Sequence, residues 1–280
     1  ILRGIEVVEY ATSLPNVLKG ESSDVSEGIN CTMTHEPLGV VAGITPFNFP
    51  VMVPLWMIPL AITAGNTFIL KPSEQTPLSG MRLAEYLKEA GLPDGVFNVV
   101  NGAKTIVESL CDHPDIKALA FVGSSSVAKI VYTRCSQNSK RSICLGGAKN
   151  HMVIMPDADL DLTIKECING ALSFNGQRCT ALKIIYVHED VKDVFIERFS
   201  KEVDKLKYGN PWDENVNLTP LPEPGKPKYI QELISDAQSK GAKIMNKNGG
   251  KSCENYVFPA ILFPVSKDMD VYKDEQFGPV

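Results

Sequence analysis

The segment 174–180 reads FNGQRCT and carries the residue types that a nucleophilic site needs. Gly176 permits a sharp backbone turn, and Arg178 directly precedes Cys179. A neighbouring positive charge favours the thiolate over the thiol, and the thiolate is the form that attacks carbonyl carbons. Cys179 is therefore a candidate catalytic nucleophile, and the alternative is a small, buried, hydrophobic cysteine.

A second candidate group follows the predicted strand 38–44. In the segment PFNFP, Asn48 is the one polar side chain within an apolar frame that two prolines fix. An amide donor held rigidly in such a frame can stabilise a developing oxyanion, an effect of about 3 kcal/mol. The alternative is that Asn48 caps the helix that follows it.

Two corners of the chain are typical of nucleotide binding. Lys71 and Glu74 follow a predicted strand, and ligands of parallel sheets bind outside the carboxyl ends of the strands. Gly123 and Ser124 open a predicted helix, whose first N–H groups can receive a pyrophosphate. Neither corner is a GxGxxG motif, so each is a weak signal when taken alone.

Short apolar runs alternate with amphipathic stretches along the chain, which is typical of βαβ units and a mostly parallel sheet. A Pro-rich loop is predicted over 219–228, and an exposed hairpin is predicted within 20–37. The predicted strands are 38–44, 67–70, 96–100, 117–122, 152–155 and 182–187, and the predicted helices are 51–64, 77–90, 124–136, 159–174, 190–206 and 228–240.

The expected fold class is therefore α/β with two domains. Residues 1–147 are predicted to form a Rossmann-like, parallel-sheet domain that binds a nucleotide, and residues 148–280 a catalytic α/β domain that is incomplete at its C-terminus. The active site is expected in the cleft between them. Because the sequence begins without Met and stops directly after EQFGPV, we expect it to be a fragment.

Composition excludes several classes of protein. The 280 residues are 44% hydrophobic and carry a formal charge of −5 without a dense basic run, which argues against disorder and against nucleic-acid or membrane partners. The longest apolar run, 51–64, is shorter than the ~20 residues that span a bilayer. Seven cysteines without a CxxC pair indicate a reducing compartment, and four scattered histidines give no metal site.

Taken together and in this order, PFNFP, KPSE, FVGS, GAKN, GQRC and EQFGPV resemble the motifs of the aldehyde dehydrogenase superfamily over essentially the whole chain. The resemblance implies oxidation of an aldehyde through a cysteine thioester. It implies Cys179 as nucleophile, and Asn48 with the Cys179 N–H as oxyanion hole. The residues that it implies for the nicotinamide cofactor are Phe47, Lys71, Glu74, Gly123, Ser124, Glu275 and Phe277.

The resemblance also bears on how the thioester is released. Hydrolytic members activate water with a Glu in an ELGGK segment, whereas this chain has Leu145 at that position and Cys144 beside it. Without a carboxylate base, attack by water should be slower by roughly two to four orders of magnitude. GAKNH, CDHPDIKA and FNFP are similar to the methylmalonate-semialdehyde dehydrogenases, which transfer the acyl group to coenzyme A.

Three points stay open at this stage. DADLDLT and LTPLPEPGKP look more like the non-phosphorylating glyceraldehyde-3-phosphate dehydrogenases, which are hydrolytic and usually use NADP. Arg178 and Arg3 are the candidates for binding an anionic group of the aldehyde, with ion-paired or solvated arginines as the alternative. Trp56 is predicted to line the substrate tunnel, or else to pack in the core.

The remaining expectations concern assembly and location. The family implies a homodimer or homotetramer, and the hairpin within 20–37 is a candidate contact. The chain is expected to be intracellular, in the cytoplasm or the mitochondrial matrix. A catalytically silent relative with a structural or binding role is the alternative of a different class, and joint retention of Cys179, Asn48, Lys71 and Glu275 speaks against it.

Overall fold

The apolar runs in the first half of the chain form five parallel strands. In the computed structural model, which describes residues 1–280, these strands belong to the first of two units, residues 1–146. An antiparallel hairpin of two strands precedes them. The strands of this unit are β1 (Glu21–Ser26), β2 (Ile29–Met33), β3 (Val40–Ile44), β4 (Thr67–Lys71), β5 (Phe97–Val99), β6 (Ile116–Val122) and β7 (Arg141–Leu145).

The order of the parallel sheet is β5-β4-β3-β6-β7, which matches the first five strands of the doubly wound order 3-2-1-4-5-6. The chain begins at the central strand β3, runs outward through β4 and β5, and returns to the other side of β3 with β6. The loops after β3 and β6 consequently diverge and leave a crevice at the carboxyl edge. Such a switch point is where sheets of this type bind ligands.

Helices cover both faces of this sheet, as the Rossmann-like prediction requires. Val41 of β3 belongs to the core cluster that contains Ile58, whereas its neighbour Ala42 belongs to the cluster that contains Val131. Successive strand residues point to opposite faces, so the apolar run of β3 is buried on both sides. The helices of this unit are α1 (Leu2–Ala11), α2 (Leu14–Val17), α3 (Met52–Thr63), α4 (Pro77–Glu89), α5 (Lys104–Asp112) and α6 (Ser125–Gln137).

The hairpin β1–β2 confirms the exposed hairpin predicted within 20–37. Its strands pair antiparallel from Glu21 with Met33 to Ser26 with Ile29, and every residue in both strands is exposed. Gly28 lies in the connecting turn with φ +75°, a conformation that glycine adopts without a steric penalty.

The second unit, residues 147–280, contains one parallel strand pair and two short antiparallel strand pairs around a helical core. Its longest helix has 15 residues, and no helix in the chain has both the length and the apolar character needed to cross a membrane. The strands are β8 (Asn150–Ile154), β9 (Leu182–Val187), β10 (Lys243–Ile244), β11 (Ser252–Cys253), β12 (Tyr256–Val257) and β13 (Leu262–Phe263), and the helices are α7 (Leu160–Leu172), α8 (Glu189–Val203), α9 (Lys226–Ser239) and α10 (Asp270–Lys273).

The core of the second unit lies between the β8–β9 pair and two of its helices. Ile154 of β8, Cys167 of α7 and Phe199 of α8 are buried in one cluster, and the rings of Phe195 and Phe199 stack 5.3 Å apart. Asp159 caps α7, because its carboxylate accepts hydrogen bonds from the N–H groups of the first turn. This helix leads directly into the segment that contains Cys179.

The predicted Pro-rich loop over 219–228 is wrong at its C-terminal end. Helix α9 begins at Lys226, so that Pro227 lies in its first turn. Proline is well tolerated there, because the N–H groups of the first turn have no partner within the helix and the fixed φ of proline is helical. Strand β7 and helix α1 were not among the predicted elements.

Candidate active site

Cys179 lies in a tight turn between the end of α7 and the start of β9. The turn is closed by a hydrogen bond from the Ala181 N–H to the Arg178 carbonyl oxygen, at 3.1 Å. The Asn150 side-chain amide donates to the carbonyl oxygens of Cys179 and Ala181, at 2.6 and 2.9 Å. Cys179 is half-buried, whereas Cys111, Cys135 and Cys167 are fully buried. The cysteine is therefore held at a surface and is not part of the packed core.

Three consecutive residues before this turn have left-handed backbone conformations. The φ angles are +56° at Phe174, +57° at Asn175 and +72° at Gly176. Such a conformation is unfavourable for phenylalanine and is maintained only where the surroundings impose it. Asn175 supplies part of that restraint, because its side chain donates to Thr219 Oγ1 and accepts from the Thr219 N–H.

Gly176 is the point at which the cysteine segment meets the C-terminal segment of the unit. A Cβ added at Gly176 would lie 2.5 Å from the Gly278 carbonyl oxygen and 2.9 Å from that of Ala171. Only a glycine fits this approach, because both contacts are to backbone atoms. The segment that contains Glu275 and Phe277 is thus packed directly against the segment that contains Cys179.

We predict that Gly176→Ala destabilises the protein by about 2–4 kcal/mol, since a left-handed φ and an overpacked contact both oppose the methyl group. Urea unfolding with an unchanged m-value measures the loss. Gly241→Ala is the matched control, because Gly241 also has a positive φ but has no atom within 4 Å of an added Cβ. That control is expected to cost about 1 kcal/mol. Equal losses in the two variants would contradict the importance of the Gly278 contact.

The Arg178 guanidinium is engaged at the end of helix α7. Its Nη2 donates to the carbonyl oxygens of Asn169 and Gly170, both at 2.9 Å, which are among the last carbonyls of the helix. The Nε–H of Arg178 is buried and has no acceptor. The guanidinium consequently keeps donor capacity that a bound anion would satisfy.

Glu275 is anchored by a buried lysine. The Nζ of Lys183 lies 2.7 Å from Glu275 Oε1, and the two side chains are 2% and 20% exposed. The backbone carbonyl oxygen of Glu275 accepts a hydrogen bond from the Tyr229 hydroxyl at 2.9 Å. Phe277, two residues later, is half-buried with φ +43°. These contacts fix the segment that the sequence assigned to the cofactor.

Lys149 holds the same segment from the other side. Its Nζ donates to the carbonyl oxygens of Val271 and Asp274 and to Gln276 Oε1. Gln276 is buried and also donates to the Lys183 carbonyl oxygen at 3.2 Å. Burial, and then the nearby charge of Lys183, lower the pKa of Lys149 to about 8.

In the first unit, the candidate cofactor residues follow neighbouring strands at the carboxyl edge of the sheet. Phe47 and Asn48 follow β3, and Gly123 and Ser124 follow β6. Lys71 is the last residue of β4, and Glu74 lies in the segment after it. Two of these segments flank the switch point between β3 and β6. Asn48 does not cap the helix after it, because α3 begins at Met52 with Val51 as its N-cap residue.

Lys71 and Glu74 form an ion pair with each other. Lys71 Nζ donates to Glu74 Oε2 at 2.9 Å, with the lysine side chain 5% exposed and the glutamate 60% exposed. The hydrogen bond from Lys71 holds the pKa of Glu74 below its usual range. The exposed carboxylate therefore stays ionised at neutral pH, and it can accept hydrogen bonds from hydroxyl groups.

Gly123 packs closely against the Phe121 ring at the corner before helix α6. A Cβ at Gly123 would lie 2.6 Å from Cζ of Phe121, so the residue must be glycine unless that ring moves. The Gly123 N–H donates to the Leu145 carbonyl oxygen at 3.1 Å, and helix α6 begins immediately afterwards. The Ser124 side chain does not cap that helix. The first N–H groups of α6 therefore receive no hydrogen bond from the Ser124 side chain, and N–H groups at the start of a helix can bind an anion.

Leu145 and Cys144 end the edge strand β7. Leu145 is 50% exposed, while Cys144 is half-buried and burial raises the pKa of its thiol. The position that the family resemblance assigned to a general base is therefore occupied by a hydrocarbon side chain. Neither residue provides a carboxylate at this end of the strand.

The two further residues assigned to the substrate lie in the helices α1 and α3. Arg3 is exposed and forms an ion pair with Glu6, with Nε and Oε2 3.1 Å apart. This is the ion-paired alternative that the sequence left open for Arg3. Trp56 is half-buried in α3, and its contribution to a substrate tunnel stays a prediction.

Sequence reasoning missed four polar residues that position this site. Lys149 and Asn150 lie within the GAKN motif, but no role was assigned to either of them. Lys183 and Gln276 were not singled out at all. The one local signal for Lys183 is a lysine inside the apolar strand LKIIYV, where a charge needs a partner.

Comparison with known proteins was consistent across sequence and structure. The profile described as the aldehyde dehydrogenase family matches residues 1–280. The chain is 44% identical to malonate-semialdehyde dehydrogenase 2 of Geobacillus kaustophilus and 43% identical to malonate-semialdehyde dehydrogenase of Lacticaseibacillus casei, covering 59% and 57% of their lengths. These alignments take in 100% and 99% of the present chain. The chain thus spans about six tenths of the curated relatives that it matches.

Solved structures give the same result. The methylmalonate-semialdehyde dehydrogenase of Oceanimonas doudoroffii matches with a TM-score of 0.95 and 42% identity, over 100% of this chain and 59% of that one. A structure from Sinorhizobium meliloti 1021, described as a methylmalonate-semialdehyde dehydrogenase complexed with NAD, matches with a TM-score of 0.96 and 40% identity, over 100% and 58%. These matches confirm the predicted fold class.

Proposed function

This chain belongs to the aldehyde dehydrogenase family, and we propose that it contains the cofactor-binding and cysteine-bearing parts of an enzyme that oxidises a small semialdehyde with NAD and transfers the acyl group to coenzyme A. Residues 1–147 are assigned to the cofactor and residues 148–280 to catalysis. The observation that carries the proposal is Cys179, held at the surface in a hydrogen-bonded turn that is packed against the Glu275 segment.

In the proposed reaction, the Cys179 thiolate adds to the aldehyde carbon and the electron pair of the C=O bond moves to oxygen. The Cys179 N–H donates no hydrogen bond to another group of its own unit, so it is available to bind that oxyanion. We assign the Asn48 amide as the second donor. Departure of hydride from the former aldehyde carbon leaves the acyl group on sulfur as a thioester.

The residues at the carboxyl edge of the first unit fit a dinucleotide. Gly123 adds no side chain at the corner before helix α6, that helix starts without a side-chain cap, and Glu74 presents an ionised carboxylate. Bound nicotinamide would accept the hydride. We assign Phe47, Lys71, Gly123 and Ser124 to this cofactor together with Glu74, and Glu275 and Phe277 from the second unit.

NAD is the proposed acceptor in preference to NADP. An ionised carboxylate at Glu74 accepts hydrogen bonds from free ribose hydroxyls and repels a 2′-phosphate. The Lys71 ammonium does not offset this repulsion, because it is already paired with Glu74. The same charge argues against the NADP-dependent, phosphate-bearing alternative.

The proposed substrate carries a carboxylate, as in a malonate or methylmalonate semialdehyde. The relatives named above act on such semialdehydes by their descriptions. Within this chain, support comes from the Arg178 Nε–H, a buried donor that lacks an acceptor. Arg3, already paired with Glu6, remains the second candidate.

Release of the acyl group to coenzyme A is proposed because Leu145 stands in place of a general base. A thiol acceptor needs less help from a base than water does, since a thiol ionises near neutral pH. The proposal also includes a homodimer or homotetramer that uses the hairpin β1–β2, on which Val25 and Ile29 are exposed. Seven free cysteines support a reducing compartment, for which the cytoplasm of a cell is the natural assignment.

Steady-state rates of semialdehyde oxidation, measured with and without coenzyme A, test the proposal. We predict that omission of coenzyme A lowers turnover by about 100-fold or more, because the thioester is then hydrolysed only by water that no general base activates. Mass spectrometry of the product should identify an acyl-coenzyme A in the complete reaction. Full turnover without coenzyme A would contradict acyl transfer, while leaving aldehyde oxidation in place.

A further inference from the structure

The side chain of Lys183 joins two parts of the proposed site. Its Nζ donates to the Arg178 carbonyl oxygen at 3.0 Å and lies 2.7 Å from Glu275 Oε1. The side chain is 2% exposed, so water cannot replace either partner. A buried ammonium is stable only while its partners are in place, and its position is therefore tightly determined.

The bond to Arg178 reaches the proposed oxyanion donor through one rigid group. The Arg178 carbonyl and the Cys179 N–H belong to the same planar peptide, and they point in opposite directions. Any displacement of Lys183 Nζ that tilts the carbonyl must therefore tilt the N–H as well. The Ala181 N–H donates to the same carbonyl oxygen, so this peptide is held by two donors.

A cationic donor on the carbonyl also changes the strength of the N–H. Hydrogen bonds in a chain polarise one another, and a charged donor on the oxygen makes the N–H of that peptide a better donor. Lys183 thus both aims the Cys179 N–H and increases its capacity to stabilise negative charge.

Resting on the proposed function, which places the cofactor at Glu275, we propose that Lys183 is a positioning residue that couples the Glu275 carboxylate to the Cys179 oxyanion donor. When hydroxyl groups of a bound cofactor donate hydrogen bonds to the Glu275 carboxylate, the ion pair between that carboxylate and Lys183 Nζ becomes weaker. The change passes to the Arg178–Cys179 peptide through the 3.0 Å bond. Cofactor binding would in this way alter the reactivity of the cysteine turn through contacts within the second unit.

The test compares Lys183→Met with the parent protein by two measurements. The first is kcat and KM for the semialdehyde. The second is the rate at which iodoacetamide alkylates Cys179, identified by peptide mass, with and without saturating NAD. We expect kcat to fall about 10- to 100-fold, since loss of a whole oxyanion donor costs about 10²- to 10³-fold, with KM changed less than about threefold. The ratio of alkylation rates with and without NAD should approach one.

Two variants separate positioning from general stability. Lys183→Arg keeps a cation with several donors and is expected to restore part of kcat and part of the NAD effect. Lys201→Met removes an exposed lysine paired with Glu197 on α8 and should match the parent in every measurement. A purely structural role for Lys183 would lower the thermal stability without removing the NAD effect on alkylation.

Glu275→Gln keeps the proposal testable if Lys183→Met does not fold. The amide retains an oxygen that can accept from Lys183 but lacks the charge, so at saturating NAD the alkylation ratio should again approach one. A parent-like ratio in a folded Lys183→Met or Glu275→Gln protein would overturn the coupling. If instead the parent oxidises no semialdehyde and its Cys179 is unreactive, the proposed function itself fails.

Discussion

Cys179→Ser is expected to reduce semialdehyde oxidation by about 10³-fold or more. The serine hydroxyl keeps the geometry of the turn, because the hydrogen bonds of the turn come from Asn150 and Ala181 to backbone carbonyls and do not involve the side chain. It does not keep the chemistry, since a hydroxyl is a weak nucleophile unless a base removes its proton. Steady-state oxidation rates at saturating semialdehyde and NAD measure the loss. In other enzymes, removal of the catalytic nucleophile lowers kcat by as much or more.

Cys253→Ser is the matched control for this prediction. Cys253 is an exposed thiol of the same unit, so its removal changes the thiol count without touching the turn. Rapid iodoacetamide labelling should be found at Cys179 in the parent and should slow when the aldehyde is present. A Cys179→Ser protein that oxidised the semialdehyde at the parent rate, or an inert Cys179, would favour the silent relative.

The elements that local patterns specify were predictable from the sequence. Strand β9 was predicted over 182–187 and is observed at Leu182–Val187, because five of its six residues are apolar or aromatic, Lys183 being the exception. Helix α4 was predicted over 77–90 and is observed at Pro77–Glu89, with Pro77 at its first position and Gly91 after its end. Where periodicity and end signals agree, the sequence alone places an element within one or two residues.

Strand β7 was not predicted, because the periodicity of its residues and the signals at its ends do not agree. The segment RSICL alternates between exposed and half-buried positions on the edge of the sheet, and it is too short for a clear period. An edge strand is specified by pairing with its neighbour, here β6, which is a non-local property. The same applies to α1, whose apolar side chains Leu2 and Ile5 are exposed.

The residues that position the site could not be predicted either, because their contacts are also non-local. Lys149 is bonded to groups that lie 122 to 127 positions away along the chain, and no local pattern indicates such a contact. The nucleophile and the cofactor residues could be proposed from the sequence because their motifs are contiguous. The groups that hold them, by contrast, are fixed by tertiary structure, and only coordinates place Lys183 between Arg178 and Glu275.

The Arg178 guanidinium makes contacts that the sequence did not indicate. Its charge was expected to act on the thiol and on a substrate anion, but one nitrogen of the guanidinium is occupied by two carbonyls at the end of α7. These bonds orient the rest of the group, since a guanidinium is planar and its donors are fixed relative to one another. Recognition of an anion would accordingly depend on the nitrogens that remain.

Leu145→Glu is expected to give the protein turnover that no longer needs coenzyme A. The substitution supplies a carboxylate at the position where hydrolytic members of the family have their general base. General base catalysis contributes about 10²- to 10⁴-fold, and a base grafted without its usual surroundings should give at least about tenfold. Because Leu145 is 50% exposed, the charged side chain is not forced into the core, and the fold should tolerate it.

Ile143→Glu is the control that tests position and not charge. Ile143 is 67% exposed, and it lies on the same face of β7 as Leu145, two residues or about 7 Å earlier. Turnover without coenzyme A should rise in Leu145→Glu alone and should fall at acidic pH as the new carboxylate is protonated, whereas Ile143→Glu should behave as the parent. An equal rise in both variants would assign the effect to surface charge, and no rise in Leu145→Glu would remove the missing base as the reason for acyl transfer to a thiol.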